Sequence, residues 1–152
     1  MQFLNDYSNR ELNIWAELVL DIIVSLYFIS RVYPLLINDQ FNSEALLPII
    51  FTNIIISIIY SIIVFGAIDI FTKKEGKDER DYFYELKSYR ISYYLSQGGI
   101  LAIIFLIAYN AVYQENIGLL TLPKIAMIFF FIAVLSSTGK SLTQLFHYRK
   151  SI

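Results

Sequence analysis

The sequence predicts an all-α fold, a polytopic transmembrane four-helix bundle with its N-terminus and C-terminus both cytoplasmic. Three observations predict it. Of 152 residues, 57% are hydrophobic and 16% charged, against about 25% charged in an ordinary soluble domain. Four apolar stretches are each long enough to cross a bilayer core, which takes ~20 residues of helix. The basic residues are distributed unevenly among the segments that join those stretches. Read this way, the chain is a single transmembrane domain, 1–152. Its spans lie at about 14–37, 46–71, 89–114 and 123–146, with a cytoplasmic loop at about 72–88.

The first stretch is the least apolar, because Glu17, Asp21 and Arg31 interrupt it. A cleaved signal peptide would need a basic leader, an unbroken apolar run and a small-residue cleavage site. The leader here is the mixed segment MQFLNDYSNREL, and no A-x-A pattern follows. A true span whose acids face other helices is the better reading. The second and third stretches carry uncharged runs at 46–68 and 91–114. A soluble helix of that length would show a polar face. The segment NIIISIIYSIIVF does not alternate as a barrel strand would. Lipid also demands that backbone groups be satisfied internally, which favours helix. The fourth stretch has a single charge between Ile125 and Phe146, Lys140.

Orientation follows from the cations. The N-terminal tail, middle connection and C-terminal end hold Arg10, Lys73, Lys74, Lys77, Arg80, Lys87, Arg90, Lys140, Arg149 and Lys150. The other two loops and their flanks hold Arg31 and Lys124. Basic residues concentrate on the cytoplasmic side, so both termini and the middle loop are expected there. In that loop Gly76 is a plausible break and Asp78 a plausible cap, with Glu79 and Asp81 favourable at the positive helix end. Tyr82, Tyr84, Tyr89, Tyr93 and Tyr94 suit the headgroup level. Lys73, Lys74, Lys77, Arg80 and Arg90 are the candidate contacts to lipid or to a cytoplasmic partner.

Polar residues inside a membrane are costly and face protein or a cavity. Glu17, Asp21 and Ser25 recur every four residues and so share a helix face. Asn53, Ser57 and Ser61 form a second stripe, Gly98 and Ala102 a third, and Ala133, Ser137 and Ser141 a fourth. Counting turns inward places Glu17, Asp21, Gln97, Ser136, Ser137 and Lys140 at one depth in the cytoplasmic half. The expectation is a polar layer with Lys140 beside Glu17 or Asp21. Two readings of it stand: a proton or cation site, or mutual neutralisation that sets helix register.

Several motifs fail. Gly139-Lys140-Ser141 resembles the end of a P-loop, but position 134 is Val and a hydrophobic span precedes it, not a strand. His147 is the sole His, a poor basis for a metal centre or a Ser-His-acid site. The absence of Cys excludes disulfides, thiolate nucleophiles and cysteine-ligated metal. No inverted repeat is evident. The chain is therefore expected to be a non-enzyme without cofactor or metal, and no nucleic-acid partner is expected.

Asp78-Glu79-Arg80-Asp81, then Glu85-Leu86-Lys87 and Tyr89-Arg90-Ile91-Ser92-Tyr93-Tyr94, resembles small, uncharacterised bacterial four-span membrane proteins. In these an acidic-Glu-Arg loop leads into the third helix. The resemblance implies a protein of the bacterial cytoplasmic membrane and carries no activity with it. The chain does not resemble small multidrug transporters, whose Gly-rich helix faces it lacks. The leading expectation is a homo-oligomeric channel or transporter-like module that binds or conducts a proton or small cation through Glu17, Asp21, Gln97 and Lys140. The alternative is a non-catalytic scaffold or sensor that recruits a cytoplasmic partner.

Overall fold

The computed structural model describes residues 8–72, 78–113 and 120–150. Among them there are four helices and no strand. They are α1 (Asn9–Ile37), α2 (Ser43–Phe71), α3 (Glu79–Val112) and α4 (Leu122–Lys150), each long and apolar enough to cross a membrane. At 1.5 Å per residue, a 29-residue helix extends about 43 Å. The hydrocarbon core is ~30 Å, so about 6 Å remains at each end for the headgroup zone.

Caps fix where the helices begin. Ser8 Oγ accepts from the Glu11 amide at 3.2 Å, and Asn42 Oδ1 from the Ala45 amide at 2.8 Å. Asp78 caps α3 in a capping box, with Asp78 N–H donating to Asp81 Oδ2 at 3.0 Å. Such caps satisfy amides that no earlier turn can reach. Asp39 turns the chain between α1 and α2 with φ 53, a left-handed conformation that Asp tolerates. α2 carries a π-helical turn over Ser61–Phe65. Just before it, Tyr60 Oη donates to the Ala16 carbonyl of α1 at 2.9 Å.

The bundle has the spatial order α3, α4, α1, α2. α4 packs against α3 on one side and α1 on the other, and α2 packs on α1. Among the described residues α2 and α3 do not pack together, so the bundle is open between them. Two glycines permit the α3–α4 approach: a Cβ on Gly99 would lie 2.6 Å from Ile132, and one on Gly139 2.5 Å from Leu95. The apolar core is small. Phe28, Val32, Leu46 and Ile49 form one cluster, and Ile14, Leu18 and Leu145 another. Most large apolar side chains instead point outward, such as Ile62 at 70% exposure and Ile70 at 79%. This is the reverse of a soluble core and matches helices solvated by lipid.

The face of α3 differs from the sequence expectation. Gly98 has open space around it, and Ala102 is exposed. The side facing α4 runs through Ser92, Leu95, Ser96 and Gly99. The true face is rotated by one residue, about 100° of helix.

Candidate functional site

The polar layer forms where α1 and α4 cross in the half of the bundle holding the N-terminus of α1. Glu17 and Asp21 project from α1 one turn apart. Lys140 Nζ donates to Glu17 Oε2 at 2.9 Å, and Ser141 Oγ reaches the same oxygen at 3.2 Å. Thr138 Oγ1 donates to Asp21 Oδ2 at 3.2 Å, and the Ser137 hydroxyl also bonds that carboxylate. One turn of α4 therefore serves both acids, the ammonium going to Glu17 and hydroxyls to Asp21. Among the described residues no basic group lies within ion-pair distance of Asp21.

Depth distinguishes the two acids. Glu17 lies eight residues into α1 and Asp21 twelve, about 12 and 18 Å along the axis. With about 6 Å of helix outside the hydrocarbon, Glu17 and Lys140 stay within reach of the surface by extending their stems. Asp21 does not.

A polar cleft of about 260 Å³ leads from the end of the bundle to Glu17 and Lys140. Arg10, Asp81, Glu85 and Tyr148 line its outer part. Arg10 pairs with Asp81, joining α1 to α3, and Tyr148 Oη donates to Asp81 Oδ1 at 2.7 Å. Lys140 sits 5.4 Å over the Tyr89 ring, a cation–π contact. On the opposite side of α4, Ser136 is buried with its hydroxyl 2.7 Å from those of Ser92 and Ser96, and it donates to the Ser92 carbonyl.

The structure brings Glu17, Asp21 and Lys140 together and leaves Gln97 out. Gln97 is exposed on α3. It follows Ser96, which faces α4, and one residue of helix turns it about 100° away. Equal depth is not the same as a shared face, and this corrects its placement in the layer. Arg80 and Arg90 are exposed on α3. Lys73, Lys74 and Lys77 lie outside the described residues.

Arg10, Asn13, Asp81, Glu85 and Tyr148 were not among the expected site residues. Arg10 and Asn13 carried a readable signal, seven and four residues before Glu17 and hence on its face. Asp81 was legible only as a helix-end acid. Asn53 adds one further polar group. It is 5% exposed, and its amide nitrogen and oxygen have no hydrogen-bond partner among the described residues. Antiparallel packing of Phe28 and Val32 with Leu46 and Ile49 sets Asn53 level with residues 24–25, about one turn beyond Asp21.

The layer gathers carboxylate and hydroxyl oxygens, the donor type that small hard cations prefer. Among the described residues no group of three or more His, Asp or Glu is placed to hold a metal ion. Compared with protein-family models, with curated proteins and with solved structures, the chain shows no significant match to any of them.

Proposed function

We propose that this chain is an integral membrane protein with both ends cytoplasmic, working as a homo-oligomer that binds and passes a proton or small cation at Asp21. The observation that carries this reading is the unequal treatment of the two acids. Glu17 has its own ammonium, whereas Asp21 is held by hydroxyls about one turn deeper. A carboxylate retained at that depth, with hydroxyls as its direct partners and Lys140 acting on it only through space, is expensive unless it exchanges a proton or an ion. The cleft supports access from the cytoplasmic side as far as Glu17 and Lys140, one turn short of Asp21, and the open edge between α2 and α3 supports association with further copies. No catalytic step is assigned.

The test is proton and cation flux in liposomes containing the wild type or Asp21→Asn. Asp21→Asn is expected to lower flux at least tenfold with helix content and oligomer size unchanged. Flux equal in the two proteins, or none in either across a range of voltage and pH, overturns the reading.

A second reading, a scaffold or sensor that recruits a cytoplasmic protein, is favoured by the first turns of α3, where Tyr82, Phe83 and Leu86 are exposed beside Arg80. Charge reversal at Lys73, Lys74 and Lys77 would then abolish recruitment and leave flux untouched.

A further inference from the structure

We propose that a groove on the outer face of α4 is a binding site for an anionic phospholipid, the headgroup at Arg149 and Lys150 and an acyl chain against Leu142 and Phe146. The inference rests on the membrane insertion proposed above but not on the ion site. The groove measures about 840 Å³ and runs between Trp15 of α1 and Ile91 of α3. That is the size of a pocket for a drug-sized ligand. Leu142 and Phe146 line it beside the buried Leu145 and are 54% and 63% exposed.

Its chemistry changes along its length. The inner part is apolar, and the end of α4 brings His147, Arg149 and Lys150 to the mouth. A phospholipid has the same polarity: chain first, phosphate at the end. The last turn of α4 projects about 6 Å beyond the hydrocarbon by the length argument above, which is headgroup level.

The side chains are positioned by aromatic contacts. Arg149 lies 5.5 Å over the Trp15 ring, and Lys150 Nζ 5.9 Å over Phe146. His147 stacks on Tyr84 with ring centroids 5.3 Å apart, which ties the last turn to α3. Glu11 opposes one cation, since its carboxylate stands 3.9 Å from Arg149 Nε, but the Arg149 side chain remains 59% exposed. Among the described residues, two cations against one acid leave a net positive mouth. The carbonyl end of α4 is itself slightly negative, so an anion is held here by these side chains and not by the backbone.

A zwitterionic headgroup offers no net charge to complement this mouth, whereas an anionic one does. One uncompensated cation near a membrane surface is worth about a fivefold preference.

Trp15 is the only tryptophan and lines the groove, so its fluorescence reports occupancy there. The full chain is reconstituted in phosphatidylcholine vesicles. Brominated-chain phosphatidylglycerol or brominated-chain phosphatidylcholine is added as quencher. The expected result is about fivefold stronger relative quenching by phosphatidylglycerol at low salt. The preference should fall toward onefold near 1 M salt, where the screening length is about 3 Å. In the Arg149→Gln, Lys150→Gln variant, which leaves Glu11 at the mouth without a cation, the ratio should fall to one or below, with quenching by phosphatidylcholine unchanged as the sign of an intact groove. Equal quenching by the two lipids in the wild type overturns the proposal, as does a preference that survives in the double variant. Absence of quenching by either lipid would instead overturn membrane insertion itself.

Discussion

At one end of the α1–α4 interface Phe28 is fully buried, stacked on Phe130 with ring centroids 3.9 Å apart. At the other end, about two to three turns away, Glu17 meets Lys140 at 2.9 Å and Asp21 meets Thr138 at 3.2 Å. The same two helices thus associate by shape in one half and by charge in the other. In lipid the two are not equivalent. Hydrocarbon solvates a Phe ring about as well as protein does, so the aromatic end gains by packing and not by leaving water. A carboxylate or ammonium has no such alternative, and its partner decides whether the helix can sit where it does. The apolar end of this interface sets closeness, and the polar end sets register.

The largest expected effect comes from unbalancing the polar end. Lys140→Met leaves Glu17 without its cation. Breaking a fully buried pair costs ~3–5 kcal/mol, but these side chains are 21% and 34% exposed. Screening lowers the expected loss to about 2–3 kcal/mol. Adding Glu17→Gln should recover most of it, because a neutral pair needs no compensation. Unfolding in mixed micelles of rising denaturing-detergent content measures both. A double variant as unstable as Lys140→Met would mean that the stems, and not the charges, hold this end.

Phe28→Ala is the matching cut at the apolar end. In water such a change costs ~3–5 kcal/mol through transfer and cavity together. Lipid removes most of the transfer part, so about 2 kcal/mol is expected in the same titration. A loss as large as in water would show that this cluster is shielded from lipid more completely than its exposed neighbours suggest.

Asn53→Leu has the smallest effect and the opposite sign. The buried amide has no hydrogen-bond partner among the described residues, and leaving such a group unsatisfied costs ~1–3 kcal/mol. Leu restores apolar contact at similar size, so a gain of about 1 kcal/mol is expected. A loss instead would extend the polar end of the comparison outward by a turn, with the amide satisfied by water.

Much of the architecture was legible in the residues. The run 46–68 carries no charge and only the narrow stripe of Asn53, Ser57 and Ser61, so a long lipid-exposed helix follows from composition alone. The start of α3 was readable because Asp78 and Asp81 have the spacing of a reciprocal cap. Lys140 had to seek an acid at its own depth, and the four-residue spacing of Glu17 and Asp21 offered that acid on one face. Lys140 pairs with Glu17, the acid nearer the surface.

What only the tertiary structure decided is which way each helix turns and which neighbours it takes. Beyond Arg90, α3 carries no charge, and its few polar residues are scattered around the helix and mark no single face. Packing of Ile132 into the space at Gly99, and of Leu95 at Gly139, chose a face one residue away from the Gly98 stripe and turned Gln97 outward. The Arg10–Asp81 pair and the cleft behind it join residues far apart in the chain, and local pattern is silent about such pairs. The physical reason is general: insertion into lipid is scored residue by residue along a helix, whereas helix contact is scored by shape between surfaces that composition leaves nearly identical.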